Sequence, residues 1–227
     1  MPGGFARTWL LRLAAVTCTL ALPATAIALA SPAQARERSV GYLLRTLTVA
    51  AENQAGYDRD LFPMWTVQDS RGCDTRDIVL IDEALRGPAI GPSCAVGTGR
   101  WVSVYDEVTV TDPHLLDIDH MVPLAEAWAS GGRTWDEDTR RAYANDLGYA
   151  RSLIAVTAST NRSKGDQDPA EWMPPVVSYR CTYISDWIGI KFRWRLAVDA
   201  TERAALRTYV TSCGNPKITV PRRALPR

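Results

Sequence analysis

Histidine is scarce in this sequence, which has only two histidines among 227 residues. The cysteines include no Cys-x-x-Cys pair, which counts strongly against a zinc site built from thiolates. No internal repeat or low-complexity tract follows residue 35, so nothing indicates a repeat architecture. The formal net charge is only +1, so a polyanionic partner would require basic residues concentrated on one face.

The first 35 residues have the order of a secretory signal peptide. Two arginines precede an apolar run over 13–30, and the Ala-Gln-Ala at 33–35 offers small residues for cleavage. A membrane anchor is the alternative, because the run approaches the ~20 residues that span a bilayer. Pro23 and several Thr and Ala residues weaken such a span. We therefore predict a cleaved signal peptide over 1–35, a secreted protein, and no stable membrane association afterwards.

Residues 36–227 contain no linker long enough to divide them, which predicts a single domain. An even number of cysteines in an exported chain indicates two disulfides, although the sequence leaves three connectivities open. We predict Cys73–Cys94 and Cys181–Cys213, because each pair closes a local loop of moderate length.

The hydrophobic patterns predict an α+β fold with a small two-stranded element rather than a large sheet. Residues 115–119 are expected to extend a sheet formed within 100–112, and to place His120 at its end. The other predicted elements are a helix over 40–55, a helix capped by Asp74 or Thr75, a helix capped by Thr134, a strand in "SLIAVTAS", and helices over 178–197 and 200–212.

The stretch "DIDHMVPLAEAW" at 117–128 contains one of the two histidines. Asp119 and Asn161, the latter expected in a loop, offer the hard oxygen ligands that Mg²⁺ prefers. Strand neighbours point to opposite faces, so Asp119 and His120 could share a cleft only where the strand ends. A histidine free of the metal has a pKa near 6.5 and accepts a proton from water at neutral pH. Together these groups would suit phosphodiester hydrolysis.

Structural roles are the alternative for each of these side chains. A solitary histidine is usually structural, but the flanking Asp119 and the distant "NRSKGD" favour a catalytic His120. Helical spacing favours core positions for Trp187 and Trp194. Two acidic residues are expected to be surface or capping groups, namely Glu126 and Glu171.

The blocks "DIDHMVP" and "SLIAVTASTNRSKGD" resemble the HNH nucleases, also called His-Me finger or ββα-metal nucleases. The chain is most similar to secreted bacterial HNH-family proteins related to the nuclease domain of GmrSD modification-dependent restriction enzymes. The block "NRSKGDQDPAEWMPP" is specific as well, whereas "GCDTRDIVL" and the W…K…W run at Trp187, Lys191 and Trp194 are supportive only. The resemblance implies a ββα-metal core embedded in helices and one divalent cation, Mg²⁺ in the first place, with Mn²⁺ as an alternative.

The resemblance also implies roles for single residues. His120 would be the general base, and Asp119 and Asn161 would hold the metal. Arg162 and Lys164 would contact phosphate, with a plain solvated loop as the competing interpretation.

Many relatives orient the catalytic histidine with an asparagine at the start of the second strand, where this sequence has Ser152. The serine hydroxyl, a main-chain carbonyl or the nearby Asn145 are the candidates for this role. Asp117 is a candidate for supporting the metal ligands by hydrogen bonds.

The sequence thus predicts a secreted, divalent-metal-dependent endonuclease that acts on DNA, with RNA as a further substrate. One alternative is a non-catalytic nucleic-acid or envelope-binding protein that retains the fold, which Ser152 at the orienting position favours. Another is an effector nuclease delivered to competitors. The sequence does not indicate an oligomeric state.

Overall fold

The computed structural model describes residues 36–221 and Arg223. The signal peptide predicted over 1–35 lies outside these residues. None of the described helices has both the length and the apolar character needed to cross a membrane. The strands and helices are β1 Glu37–Ser39, α1 Val40–Thr46, α2 Thr75–Glu83, β2 Trp101–Val102, β3 Thr109–Val110, β4 Leu116–His120, α3 Leu124–Ala129, α4 Glu137–Ala144, β5 Leu153–Thr157, α5 Ala158–Lys164, α6 Arg180–Trp194, α7 Ala200–Ser212 and β6 Lys217–Thr219.

The predicted α+β class is confirmed, and the strands of the described residues form three separate antiparallel pairs, β1–β6, β2–β3 and β4–β5. In the last pair Leu116 lies opposite Thr157 and His120 opposite Leu153. The prediction that 115–119 extends the sheet of 100–112 is wrong. All five residues of β5 are buried, so its backbone groups require a partner strand, and β4 provides it.

Helix α1 is shorter than predicted, ending at Thr46 rather than near residue 55. Leu47 adopts an extended conformation, and the chain then pairs with the segment that precedes α7. Val198 donates its N–H to Thr48 at 2.9 Å, and Ala50 donates to Val198 at 3.0 Å. These long-range backbone bonds override a local pattern that would have continued the helix.

The helix boundaries follow their capping residues. Asp74 caps α2 as predicted, and its reciprocal hydrogen bonds with Asp77 form a capping box. Helix α4 is capped by Asp136 rather than by the predicted Thr134, which lies in the preceding 3-10 turn. Helix α7 has the predicted bounds, whereas α6 ends early because Arg195 adopts the left-handed conformation at φ 55°.

Helix α6 runs through the core, where Trp187 and Trp194 are buried as predicted. Lys191 is also fully buried, with its Nζ 2.5 Å from Glu126 and 2.6 Å from Glu202. The prediction of a surface role for Glu126 is therefore wrong, whereas Glu171 is exposed as predicted. Glu126 is buried because it neutralises a lysine that would otherwise be an unpaired charge in the core.

Both predicted disulfides are present. Cys73–Cys94 has a Cα–Cα distance of 4.9 Å and ties the N-terminal end of α2 to the turn region before β2. Cys181–Cys213 has a Cα–Cα distance of 5.6 Å and ties the start of α6 to the end of α7. Each bridge stabilises the fold by about 2–4 kcal/mol, chiefly by restricting the unfolded chain.

Candidate active site

Strands β4 and β5 and helix α5 form the framework of the site. The two strands pair along their full length, and α5 begins at the residue that follows β5 and contacts both strands. The order strand, strand, helix is consistent with a ββα-metal core. Helices α3 and α4 lie in the connection between the strands. Asn161 lies on α5 and not in the predicted loop, because "TASTNRSK" continues as a helix until Gly165 at φ 55°.

His120 lies at the end of β4, with its ring 6% exposed. Its Nε2 is 3.0 Å from the main-chain oxygen of Ala144, and its ring is stacked near Trp65 and Tyr143, with centroid distances of 5.8 and 6.3 Å. A carbonyl only accepts hydrogen bonds, so Nε2 carries the proton and Nδ1 presents a lone pair. No residue within 36–221 hydrogen-bonds to Nδ1.

The protonation state of His120 follows from its surroundings. Burial lowers its pKa to about 4, and the hydrogen bond to Ala144 opposes this only in part. The positive charges of Arg59 and Lys164 lower the pKa further. The imidazole is therefore neutral at physiological pH, with Nδ1 ready to accept a proton.

A cavity of about 190 Å³ brings the predicted site residues together. Asp119 and His120 at the end of β4 line it with Asn161 from α5, as the sequence-based hypothesis requires. Its other charged lining residues are Arg59, Arg162 and Asp166. An imidazole, carboxylate and amide oxygens and two guanidinium groups thus line one small cavity.

Asp119 is buried beside a lysine and a tyrosine. The Nζ of Lys164 lies 2.8 Å from both of its carboxylate oxygens, and Tyr105 donates to Oδ2 at 2.5 Å. Burial raises the pKa of Asp119, and the neighbouring ammonium group opposes that change. Nζ also donates to the main-chain oxygen of His120 at 2.9 Å. Lys164 therefore connects α5 to the end of β4 at the two residues next to the cavity.

Asn161 is half-buried and contacts Asp117 on the neighbouring strand. Its Nδ2 donates to Oδ2 of Asp117 at 3.3 Å, which leaves its Oδ1 as an acceptor for another group. The exposed guanidinium of Arg162 is 3.9 Å from the same Asp117 oxygen. Asp117 thus orients the amide of Asn161 from the adjacent strand.

Residues 95–208, which include all of these groups except Arg59 and Trp65, match the family described as GmrSD restriction endonucleases, C-terminal domain. The chain belongs to this family. It is therefore an HNH-family nuclease domain, as the resemblance of the two sequence blocks implied. No solved structure is significantly similar to the chain.

The chain is also similar to a fungal protein, over a longer stretch than the family match covers. A protein of Arthroderma benhamiae named "Uncharacterized secreted protein" is 44% identical over 172 residues, which are 75% of this chain and 83% of that protein. The chain is secreted, since this relative carries that description and two disulfides fit an oxidising location.

HNH nucleases generally use a divalent metal, and the oxygen atoms around the cavity fit a hard cation. A carboxylate has about four lone-pair sites, so Asp119 retains one at Oδ1 after its contacts with Lys164 and Tyr105. The amide oxygen of Asn161 is the less engaged donor. Mg²⁺ commonly takes one or two protein oxygens and keeps several waters, which such a donor set allows.

Two residues carry roles that differ from those expected for an HNH domain of this sequence. Lys164 is 0% exposed and bound to Asp119, so it cannot contact a substrate phosphate. Ser152 donates to Oδ2 of Asp146 at 3.0 Å, and the carbonyl of Ala144 takes the place beside His120. Of the three candidates for orienting the histidine, the main-chain carbonyl is the one in contact with it.

Asn145, another candidate for supporting the histidine, supports it indirectly, through the segment that precedes α2. Its Nδ2 donates to Pro63 at 2.7 Å, and its Oδ1 accepts from Thr66 at 3.1 Å and from Thr75 at 2.6 Å. It thereby fixes the segment that carries Trp65, the ring stacked on His120.

Three side chains at this HNH site were missed by the sequence prediction: Arg59, Trp65 and Tyr105. A main-chain carbonyl was among the predicted orienting groups, but the sequence could not indicate that Ala144 provides it. The two aromatic rings and the arginine reach the site only through long-range packing, which leaves no spacing signal in the sequence.

A second group of carboxylates lies apart from this cavity. Glu52 lies within 4.8 Å of Glu126 and Glu202, and also of Asp168 and Asp199, measured between ligand oxygens. Lys191 binds two of them and neutralises part of their charge.

Proposed function

We propose that this protein is a secreted, divalent-metal-dependent endonuclease that hydrolyses phosphodiester bonds of DNA, with RNA as a further substrate. The observation that carries the proposal is the state of His120. Its Nε2 is fixed by Ala144 and its Nδ1 is an unprotonated acceptor, in the cavity that Asp119 and Asn161 also line. The family assignment to an HNH nuclease domain supports the same conclusion.

In the proposed reaction, water attacks phosphorus in line and His120 takes its proton at Nδ1. The carbonyl of Ala144 keeps the ring oriented while the imidazolium forms, because Nε2 continues to donate to it. The negative charge of an arriving phosphate favours the imidazolium and so raises the pKa of His120 towards neutrality. Proton acceptance is most effective when that pKa lies near the working pH.

The cation would be held by Asn161 through its amide oxygen and by Asp119 through Oδ1. When bound, it would stabilise the charge that develops on phosphorus and on the leaving 3′ oxygen. Arg59 and Arg162 line the same cavity and would bind the non-bridging phosphate oxygens. The products would be a 5′-phosphate and a 3′-hydroxyl.

The test is degradation of supercoiled plasmid and of labelled RNA by the purified secreted form with Mg²⁺ or Mn²⁺. His120→Ala is expected to reduce cleavage by about 10²–10⁴-fold, the usual contribution of a general base. The matched control is His114→Ala, since His114 is exposed and, in the part of the chain that the structure describes, its ring pairs only with Asp112. Full activity in His120→Ala would eliminate the proposed base.

The metal ligand is tested separately. Asn161→Ala is expected to lower activity at least about 100-fold and to raise the Mg²⁺ concentration needed for half-maximal rate. Gln167→Ala, at an exposed position three residues after Lys164, is the control. Cleavage unaffected by EDTA would eliminate the metal, and tight DNA binding without cleavage under any divalent ion would favour a non-catalytic binding protein.

A further inference from the structure

A second cavity, of about 570 Å³, lies between α1 and α7 and shares no residue with the candidate active site. Its polar lining is rich in hydrogen-bond donors, because Arg45 of α1 faces Arg203 and Arg207 of α7. Among the residues that the structure describes, no carboxylate lines this cavity. We call it the arginine cavity.

The three guanidinium groups are not used to stabilise the fold by ion pairs. Within residues 36–221 and Arg223, none of them lies within 4.0 Å of a carboxylate oxygen, whereas Arg71, Arg141 and other arginines are paired in this way. Arg203 and Arg207 are four residues apart on one helix, where like charges repel. The fold therefore brings three guanidinium groups without an ion-pair partner among the described residues to one cavity, and their mutual repulsion lowers the free energy of unfolding.

The candidate active-site cavity has a different balance of charge. Its two arginines, Arg59 and Arg162, share it with Asp166. Arg162 also lies 3.9 Å from Asp117, while Lys164 neutralises Asp119. It can orient a phosphate but adds little net attraction for a polyanion. The whole chain carries a net charge of only +1, so strong binding of a nucleic-acid strand needs a cationic surface elsewhere.

We propose that the arginine cavity is a second phosphate-binding site, which holds a phosphodiester segment of the nucleic-acid substrate outside the candidate active site. This proposal rests on the proposed function. A guanidinium group can donate two parallel hydrogen bonds to two oxygens of one phosphate. The apolar surface formed by Leu44 and Val210 suits contact with a sugar or a base. A cavity of 570 Å³ is large enough for a nucleotide unit.

Binding is measured in the His120→Ala background, so that the result does not depend on cleavage. Anisotropy of a fluorescein-labelled 30-base-pair duplex over a KCl series gives Kd and its salt dependence. R45Q/R203Q/R207Q is expected to raise Kd at least about tenfold and to reduce the slope of log K against log salt by about 2–3. The control triple R86Q/R100Q/R133Q removes the same charge from exposed positions outside both cavities.

The proposal is overturned if both triples bind like the parent, or if both lose affinity equally. Steady-state cleavage of the same duplex by the R45Q/R203Q/R207Q variant with His120 intact should show KM rising more than kcat falls. A third measurement, isothermal titration calorimetry with AMP and with inorganic phosphate, asks whether the cavity binds a free phosphate ligand instead. Arginine-dependent binding of either one as tight as that of the duplex would assign the cavity to a free phosphate ligand and overturn the strand site. Loss of activity in His120→Ala is independent of all these outcomes, so failure of the two proposals can be told apart.

Discussion

The Nζ of Lys164 lies 2.8 Å from each carboxylate oxygen of Asp119, and both side chains are buried. The pair joins the last turn of α5 to the end of β4, and the same Nζ donates to the main chain of His120. A buried pair of this kind contributes little net stability when intact, but removal of one partner leaves an uncompensated charge. The position of His120, the catalytic histidine of the proposed mechanism, thus depends on the contacts of Lys164 with Asp119 and with the main chain of His120.

Lys164→Met should therefore destabilise the protein by about 3–5 kcal/mol in urea denaturation, because Asp119 is left as a buried, unpaired carboxylate. The double variant D119N/K164M should regain much of that loss. Lys217→Met, at an exposed position on β6, is the control and should have little effect on stability. Native stability together with weakened DNA binding in Lys164→Met would instead support a direct phosphate contact.

Ser152→Ala should retain cleavage activity within about threefold of the unmodified protein. Its hydroxyl binds Asp146, and the carbonyl of Ala144 orients His120. Loss of one buried hydrogen bond should lower the free energy of unfolding by about 1 kcal/mol. The measurement is plasmid cleavage beside urea denaturation. A loss of more than about 100-fold in a stably folded variant would return the orienting role to the serine.

Mild reductant without denaturant should open Cys181–Cys213 before Cys73–Cys94. Cys181 is exposed, whereas Cys73 and Cys94 are 0% and 2% exposed, so thiolate attack reaches the first bridge more easily. Thiol alkylation followed by peptide mass spectrometry identifies which pair opens. C181S/C213S should lower the free energy of unfolding by about 2–4 kcal/mol. Unchanged thermal stability in strong reductant would contradict a stabilising role for both bridges.

Stability should fall as the pH rises through the titration of Glu83. Its Oε2 accepts from the Ala155 N–H at 2.7 Å, which ties α2 to β5. Burial raises its pKa from 4.5 to about 7, against the lowering effect of that hydrogen bond. The folded state therefore binds more protons than the unfolded state between these values. The contribution is fully present below pH 4.5 and lost above pH 7.

Glu83→Gln removes this titration, so its free energy of unfolding should decline less between pH 5 and pH 8. The upper limit of the difference is about 3 kcal/mol, and the partial exposure of Glu83 reduces it to about 1–2 kcal/mol. Urea denaturation at both pH values gives the comparison, with Glu171→Gln at an exposed position as the control. Equal pH slopes for the Gln variant and the unmodified protein would rule out this assignment.

Local signals in the sequence were sufficient for part of the fold. The cap at Asp74, the apolar run of β5 and the bounds of α7 depend on neighbours within a few residues, so pattern and capping chemistry predicted them. Pairing the cysteines that close loops of moderate length likewise gave the correct one of the three possible connectivities. Because Asp119 and His120 are adjacent at the end of one strand, the sequence also predicted that both side chains reach one cavity.

Partners that are distant in the sequence were not predictable in the same way. The ending of α1 and the pairing of β4 depend on which remote backbone groups satisfy their hydrogen bonds. Periodicity places a side chain on a face but does not say what covers that face. Lys164, expected at a phosphate, instead lies at Asp119 because burial next to a carboxylate is the arrangement that neutralises both charges.

The sequence by itself determined the residue types of the candidate site, the presence of four cysteines after residue 35 for two bridges and the α+β class, since these follow from composition and local spacing. The tertiary structure decided which group holds the imidazole, which lysines are buried, and where three arginines meet that have no ion-pair partner among the described residues. The physical reason is that desolvation and hydrogen-bond satisfaction are properties of the packed chain as a whole.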